Sequence, residues 1–242
     1  MIRIPCPVAL SLLAVLAVFE PNSGALAATV RTVALEGQQA PGLSSGVRFD
    51  SFSPPVINAA GQTAFESNLT GDVIIGATDL ALWSEGSGSL ALVARQWRQA
   101  PGAPTGVNFH DFDTPVLNAA GQIAFHAWLA SGRGVWSGSA NNLRVVAQSG
   151  DQPPGVSDGR VFGSFGDVRL NSEGEIAFRA SLSGVDGTGI WSERAGELVL
   201  IARPGSPAPG TPSGTVYDSV GTPVLNGAGQ TTFGASLPGP NF

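Results

Sequence analysis

The chain has 242 residues, of which 43% are hydrophobic and 12% charged, and it contains 33 glycines and 18 prolines. Residues that interrupt helices are therefore frequent, and this composition excludes an all-helical domain. All twelve basic residues are arginines, and the net charge is -6. Because a nucleic-acid-binding surface carries the opposite charge, we expect no nucleic-acid partner.

The first 27 residues have the layout of a secretory signal peptide. Arg3 precedes an apolar run at 8–19, and the small-residue box Ala25-Leu26-Ala27 follows. The run is too short to span a bilayer, so we predict cleavage after Ala27 and no membrane insertion afterwards. Cys6, the single cysteine, lies in this segment. The predicted mature chain, 28–242, is thus a secreted, extracellular or periplasmic protein without disulfides.

One pattern occurs four times along the mature chain, which indicates tandem repeats. Its central part is Asn-x-x-Gly-x-x-Ala/Thr-Phe, and a leucine follows the phenylalanine by four residues. The four copies lie at 58–65, 118–125, 171–178 and 226–233. An apolar-Trp-Ser step at Trp83, Trp136 and Trp191 and a later Pro-Gly pair repeat with them. The predicted repeats lie near 43–97, 103–150, 156–206 and 211–242, with 29–42 as a lone outer strand.

The spacing within the repeats separates fixed segments from variable ones. The repeat periods are 60, 53 and 55 residues, and the whole difference lies between the leucine after the pattern and the tryptophan. Insertions are tolerated at loop tips, so we predict that this segment is an exposed loop. Asp72, Asp79 and Asp186 lie there and are interpreted as solvated turn residues. The connection of constant length before the next asparagine is predicted to be held in place.

Local patterns predict four antiparallel strands in each repeat. After each Asn-x-x-Gly turn, apolar residues alternate, as in Ile123, Phe125, Ala127 and Leu129. The segment before the asparagine, the segment at the tryptophan and the following apolar run supply the other three strands. The predicted fold class is all-β, a β-propeller-like array of about four four-stranded blades with the last one incomplete. A β-sandwich array is the alternative, and a parallel solenoid is disfavoured.

The strand count leaves the third strand of the last blade missing. Either the ring is irregular, or the sequence is the front part of a longer protein, which is the interpretation we favour. The rim that carries the variable loop and the long connection is the predicted contact face.

The repeated Asn-x-x-Gly-x-x-Ala-Phe-x-x-x-Leu resembles the bacterial choice-of-anchor tandem repeat proteins named for their NxxGxxAF motif. The likeness covers nearly all of the mature chain, and the blades are also similar to TolB-type propeller repeats. The resemblance implies a secreted or surface-displayed protein with no known enzymatic activity. The family often carries a C-terminal sorting anchor, whereas this sequence ends at Pro238-Gly-Pro-Asn-Phe242.

Most of the repeated residues have a structural interpretation. The asparagines suit turns, and the repeated phenylalanines and tryptophans suit the core. Trp97 and Trp128 lie outside the pattern and are the candidate platforms for carbohydrate stacking. At the strand position after the repeated phenylalanine, His126 replaces Glu66 and Arg179, so this position is interpreted as an exposed face.

Several aspartates recur before the first strand of a repeat. Asp50, Asp111 and Asp218 are candidate ligand contacts, and with Asp113 and Asp167 they form a candidate Ca²⁺ site. Their position shifts between repeats, so capping of the connection is the favoured interpretation.

No nucleophile motif, paired acid or phosphate-binding loop stands out. The leading hypothesis is a secreted, non-enzymatic binding or surface-interaction module of unknown partner, with a surface glycan or a protein as candidates. The alternative is a secreted hydrolase or lyase that acts on polysaccharide.

Overall fold

The computed structural model describes residues 28–71, 79–184 and 187–238, together with the short strands Leu12–Val15 and Val18–Phe19. Within these residues the secondary structure consists of strands, bridges and turns and includes no helix. The predicted all-β class is therefore confirmed. The described part also contains no helix of the length and hydropathy that a membrane span requires.

Repeats 1, 2 and 3 each form one antiparallel sheet of five strands. The strands of repeat 1 are β5 (Arg48–Phe52), β6 (Val56–Ile57), β7 (Thr63–Thr70), β8 (Leu80–Ser84) and β9 (Ala91–Arg95). Those of repeat 2 are β10 (Phe109–Phe112), β11 (Val116–Leu117), β12 (Ile123–Leu129), β13 (Gly132–Ser139) and β14 (Asn142–Gln148). Those of repeat 3 are β15 (Phe162–Phe165), β16 (Arg169–Leu170), β17 (Ile176–Leu182), β18 (Thr188–Arg194) and β19 (Glu197–Ala202).

The first predicted strand of each repeat is divided into two pieces. In repeat 2, β10 and β11 both pair with β12, which then pairs with β13, and β13 pairs with β14. The register places Phe125 opposite Trp136, and Phe65 and Phe178 lie opposite Trp83 and Trp191 in the same way. The predicted four-strand order is thus confirmed, with a divided first strand.

The two ends of the described chain contain smaller sheets. At the N-terminal end, β1 (Leu12–Val15) pairs with β4 (Thr32–Leu35), and β2 (Val18–Phe19) pairs with β3 (Ala28–Thr29). In repeat 4, β20 (Ser219–Val220) pairs with β23 (Ala235–Ser236), and β21 (Val224–Leu225) pairs with β22 (Thr231–Thr232). The described residues of repeat 4 thus form only the first hairpin of a sheet.

Successive sheets pack face to face, so the central strands are buried on both sides. Ile123, Phe125 and Ala127 join a cluster with Ala64 and Leu82 of repeat 1. The intervening Ala124 joins the next cluster, which contains the aromatic residues of repeat 3. The predicted apolar face of β12 is confirmed, but its opposite face is also partly apolar because the third sheet covers it.

A ladder of asparagine side chains joins the four repeats. In each turn, Asn Oδ1 accepts hydrogen bonds from the backbone N–H groups two and four residues later, as Asn118 does from Ala120 and Gln122. The Nδ2 group also donates to the backbone oxygen of the asparagine in the next repeat. These distances are 2.7 Å for Asn58 to Asn118, 2.8 Å for Asn118 to Asn171 and 3.1 Å for Asn171 to Asn226. The repeated asparagine therefore forms its own turn, as predicted, and also joins neighbouring repeats.

The glycine of the same turn permits this close stacking. Gly121 has a φ of 78°, which few other residues adopt at low cost. A Cβ atom added there would lie 2.2 Å from the backbone oxygen of Gly86 in repeat 1. Glycine is thus required both by the turn and by the neighbouring sheet.

Replacing Asn118 by alanine is expected to lower the free energy of unfolding by about 2–3 kcal/mol, because the buried turn loses its two accepted bonds and the inter-repeat bond. Urea unfolding followed by far-UV circular dichroism measures this. The matched control is Asn226→Ala, because Asn226 is exposed and bonds within its own turn. Its expected cost is about 1 kcal/mol. Equal losses in the two variants would contradict the role of the ladder.

The long connections of constant length are held by hydrogen bonds, as predicted. Between repeats 1 and 2, the backbone of Phe109 bonds to Trp97 and Arg98, and Gln99 pairs with Asn108. The indole N–H of Trp136 donates to the oxygen of Pro101 at 2.9 Å. Trp191 repeats this bond with Pro154 at 3.0 Å. Any change in connection length would move these proline oxygens away from the tryptophans.

Asp79 is not the solvated turn residue that its place after the variable loop suggested. Its side chain is 1% exposed and forms an ion pair with Arg95, whose guanidinium is also buried. Arg95 Nε donates to Asp79 Oδ1 at 2.8 Å, and Nη2 donates to Oδ2. The other two loop aspartates, Asp72 and Asp186, lie outside the described residues.

Candidate functional site

The two predicted aromatic platforms are both half-buried and lie in different places. Trp97 lies in the connection before repeat 2, with a φ of 65°, and its ring is 4.7 Å from that of His110. Trp128 lies on β12 between His126, at 4.5 Å between ring centroids, and Arg133, whose guanidinium is 5.2 Å from the indole centroid. The structure therefore does not join them into one aromatic surface.

The predicted aspartate contacts Asp50, Asp111 and Asp218 are all exposed on the first strands of their repeats or next to them. Asp111 Oδ1 accepts from the N–H of Phe112, which agrees with the capping interpretation, and Asp218 accepts from Ser236. Among the residues that the structure describes, no three His, Cys, Asp or Glu side chains form a group able to hold a metal ion. No Ca²⁺ site is therefore assigned from this geometry.

His126 is buried, which corrects the interpretation of its position as an exposed face. It is only 4% exposed, because β12 lies between two packed sheets. Its Nδ1 lies 2.8 Å from Oδ2 of Asp113. Since a carboxylate accepts hydrogen bonds, Nδ1 carries the proton in this pair. The other ring nitrogen, Nε2, is buried and has no hydrogen-bond partner among the described residues.

A cleft with a volume of about 380 Å³ lies beside His126, between the first strands of repeats 2 and 3. We call it the His126 cleft. Its polar lining includes Asp113, Asp167 and Arg169 as well as His126. Its apolar lining comes from a proline, three valines, an alanine and a phenylalanine: Val56, Pro115, Val116, Ala124, Phe125 and Val168. The cleft lies along the divided first strands of these repeats.

The polar residues of the His126 cleft are those that depart from the repeat. Relative to the repeated asparagine, Asp113 occupies the position of Ser53, Gly166 and Gly221. Arg169 occupies a position that is valine in the other three repeats. A buried polar atom without a protein partner, such as Nε2 of His126, is rare in folded proteins, so this place is a candidate site. The His126 substitution is visible in the sequence, but the absence of a buried partner is visible only in the tertiary structure.

Glu66, the counterpart of His126 in repeat 1, also has an unusual environment. Burial, together with the nearby carboxylates of Asp111 and Asp113, raises its pKa to about 7. Asp113 thus interacts with both Glu66 and His126. These three residues and Asp111 form a group of titratable side chains along one side of repeat 2.

Replacing Glu66 by glutamine is expected to raise the free energy of unfolding by about 1–2 kcal/mol at pH 8, after allowance for the partial exposure of the carboxyl. A carboxyl whose folded pKa is raised is protonated in both states below its unfolded pKa of 4.5. Its cost grows as the pH rises from 4.5, where the unfolded carboxyl ionises, to the folded value of about 7, and is constant above it. The variant and the parent are therefore expected to be equally stable at pH 4 and to diverge towards pH 8. Urea titrations across this range test it, and a constant difference at every pH would contradict the shift.

The described molecule belongs, by its fold, to the class of all-β tandem-repeat proteins with stacked antiparallel sheets. Its sequence matches the model of a family of unknown function, DUF7453, twice, at residues 16–133 and 130–242. The chain therefore belongs to that family, and each match covers about two of the repeats. No curated protein and no solved structure matches the chain. The repeat character is confirmed, while membership of the choice-of-anchor proteins stays a prediction.

Proposed function

We propose that this chain is a secreted, non-enzymatic binding module whose stacked sheets are blades of a propeller-like array. The proposal includes removal of the signal peptide 1–27 and a relation to the surface-displayed choice-of-anchor repeat proteins. The observation that supports it is that the repeats share their structural residues, whereas the polar residues of the His126 cleft depart from the repeat. The repeats keep the same turns, aromatic pairs and asparagine ladder, while charged and polar departures from the pattern collect beside one another.

This arrangement is typical of a protein in which repetition supplies rigidity and a few variable positions supply recognition. Three stacked sheets hold the first strands in fixed register, so the side chains between them are already positioned for a ligand. The cleft has a volume near the lower end of small-ligand sites, about 300–1,000 Å³. It combines apolar walls with a small number of polar groups, as such sites do.

A binding screen tests this proposal. The chain, expressed with its own N-terminal segment and recovered from the exported fraction, is screened against immobilised glycans and surface proteins. The matched variant Asp113→Ser, which introduces the residue of repeat 1, is screened beside it. We expect at least one ligand that binds the parent and binds the variant about tenfold more weakly, because His126 loses its partner. Absence of any ligand, or retention of the whole chain in the cytoplasm, would overturn the proposal.

One observation favours a second candidate function, a polysaccharide hydrolase or lyase. Glu66, with a pKa of about 7, is the kind of carboxyl that can hold a proton for a general acid at neutral pH, and the Asp113–His126 pair lies nearby. A reducing-end assay on soluble polysaccharides, with Glu66→Gln as the control, distinguishes the two candidates. Activity that is lost in this variant would establish the enzyme. Binding without any product would favour the module.

A further inference from the structure

We propose that a pocket on repeat 3 binds a sugar acid, whose carboxylate takes the place that Asp79 has beside Arg95 in repeat 1. We call it the Arg160 pocket. It has a volume of about 350 Å³ and shares no lining residue with the His126 cleft, so the inference goes beyond the proposed function. The lining residues that carry the argument are Asp158, Arg160, Gly187, Thr188 and Arg203.

Repeats 1 and 3 differ at this place by one carboxylate. Gly187 is the counterpart of Asp79, since each lies four residues before the repeated tryptophan. The backbone agrees, because the N–H of Leu69 donates to the oxygen of Asp79 and that of Leu182 to the oxygen of Gly187. Arg203 is the counterpart of Arg95, twelve residues after the tryptophan. Repeat 3 therefore keeps the arginine and lacks the carboxylate that pairs with it in repeat 1.

Repeat 1 shows how an arginine at this position holds a carboxylate. Arg95 donates through Nε and Nη2 to the two oxygens of Asp79, a two-point contact typical of an arginine–carboxylate pair. In repeat 3, a Cβ atom added at Gly187 would lie 2.7 Å from Cβ of Leu182. Position 187 thus has no room for a side chain on this backbone, and a pocket adjoins it instead.

The two guanidinium groups of the pocket are accessible and have donors available. Arg160 is 38% exposed and Arg203 31% exposed, whereas Arg95 is 5% exposed. Among the described residues, Arg203 donates only through Nη1, to Asp158 Oδ2 at 2.9 Å. Nε of Arg160 lies 3.6 Å from the same oxygen, which is too long for a hydrogen bond. A ligand in the pocket can therefore reach free donors on both arginines.

Arg160 also points towards the missing carboxylate. Its Nη1 atom would lie 3.1 Å from a Cβ atom added at Gly187, so the guanidinium is next to the place where repeat 1 has an aspartate. Valine occupies the position of Arg160 in repeats 1 and 2, as Val47 and Val107. The fold therefore does not require an arginine there.

The charge of the pocket favours a ligand with a single carboxylate. Two arginines share the one carboxylate of Asp158, so the lining is positive in a chain with a net charge of -6. One carboxylate on the ligand balances this excess. A cation would be repelled by both arginines, and a dianion would exceed the excess and approach Asp158 at an electrostatic cost.

The size and polarity of the pocket indicate the rest of the ligand. A carboxylate alone fills only a small part of 350 Å³, and the accessible lining is mostly polar, with the hydroxyl of Thr188 within it. Sugar hydroxyls suit such a lining. The pocket shares Leu182, Gly187, Thr188 and Pro204 with a larger cleft of about 750 Å³ that extends to Ser219 of repeat 4. A sugar acid within a longer glycan therefore also has space beside it.

Titration followed by ¹H–¹⁵N nuclear magnetic resonance tests the inference on the exported chain. The probes are sodium glucuronate and sodium galacturonate, with glucose and galactose as their neutral counterparts and sodium acetate and sodium sulfate as simple anions. Sodium chloride keeps the ionic strength constant. We expect a uronate to shift the amide signals of Gly187 and Thr188 saturably, and to bind at least about tenfold more tightly than the other four probes.

Variants that introduce residues of other repeats complete the test. Arg160→Val and Arg203→Gln, which introduce the residues of repeat 2, are each expected to weaken uronate binding about tenfold. Asp158→Ser, which introduces the residue of repeat 1, is expected to strengthen it about threefold, because the competing carboxylate is removed. A damaged fold cannot produce this gain. The control Arg194→Gln, at an exposed position outside the pocket, is expected to bind as the parent does.

The inference is overturned if neither uronate binds, if acetate, sulfate or a neutral sugar binds as tightly, or if Asp158→Ser does not strengthen binding. Asp186 precedes Gly187 and lies outside the described residues. Uronate binding that appears only in Asp186→Asn would mean that the chain fills the pocket with its own carboxylate, which also overturns the inference. A ligand from the wider screen that is weakened by Asp113→Ser and unaffected by Arg160→Val would leave the proposed function standing and reject this pocket.

Discussion

The Trp136→Ala variant is expected to lose about 3–5 kcal/mol of unfolding free energy, one of the two largest effects predicted for this chain. Trp136 is fully buried, and its ring lies 5.0 Å from that of Phe109 and stacks on Phe125 at 6.3 Å. Its N–H also holds Pro101 in the long connection. The substitution removes a large apolar surface, opens a cavity between two sheets and releases that connection. Guanidinium unfolding followed by circular dichroism measures the loss.

The control for this prediction is Trp128→Ala on the neighbouring strand. Trp128 is half-buried, and its ring contacts are with His126 and Arg133. We expect a loss of about 1 kcal/mol, because less area is removed and solvent can fill the space. Equal losses of unfolding free energy in the two variants would show that burial of Trp136 between the sheets does not contribute to stability.

The second large effect is expected for Asp79→Ala, which removes the carboxylate from the buried ion pair with Arg95. Breaking such a pair costs about 3–5 kcal/mol, because the remaining charge stays in a poorly solvated place. The pair joins the start of β8 to the end of β9, so the loss should also increase hydrogen exchange in these two strands. Urea unfolding and amide exchange measure the two consequences.

An exposed aspartate provides the comparison. Asp158 also forms an ion pair, with Arg203 at 2.9 Å, and this pairing holds the pKa of Asp158 below its usual value. Both partners are accessible to solvent, so Asp158→Ala is expected to unfold like the parent. If Asp79→Ala also unfolds like the parent, burial of the Arg95 pair does not contribute to stability.

The repeat, the strand order and the aromatic core were predictable because each depends on local chemistry. Asparagine and glycine at a separation of three define a turn, and alternating apolar residues define a strand. Phe125 and Trp136 have counterparts in repeats 1 and 3, so their place in the core followed from the repeat, whereas their pairing across the sheet is seen only in the structure. The constant connection length also correctly indicated that this segment is held.

Tryptophan orientation was beyond such reasoning because it depends on residues in other strands. A Cβ atom at Gly134 would lie 2.7 Å from the ring of Trp136, so glycine there allows the indole to reach Pro101. Repeat 1 has Ala81 at this position, and Trp83 instead donates to Oγ of Ser67 at 2.8 Å. Alanine replaces Ser67 in repeats 2 and 3, where the proline oxygen accepts the bond.

The candidate site was only partly predictable from the residues. Asp111 was identified and lies next to the relevant group, but Trp97, Asp50 and Asp218 are not part of the cleft lining. His126 was interpreted as exposed because the alternation of apolar and polar residues along a strand suggests that one face of the sheet is exposed to solvent. That inference fails when sheets stack, since the face that alternates towards solvent in a single sheet is covered by the next repeat.

The turns, the strands, the repeat length and the residues of the core depend on neighbouring residues along the chain, so the sequence by itself determined them. The tertiary structure alone decided which residues from different repeats meet, because contacts across stacked sheets depend on backbone separation and have no period along the chain. The asparagine ladder, the buried Asp79–Arg95 pair and the His126 cleft all belong to this second group. Each joins side chains from separate strands whose burial or partners appear only after the sheets have packed.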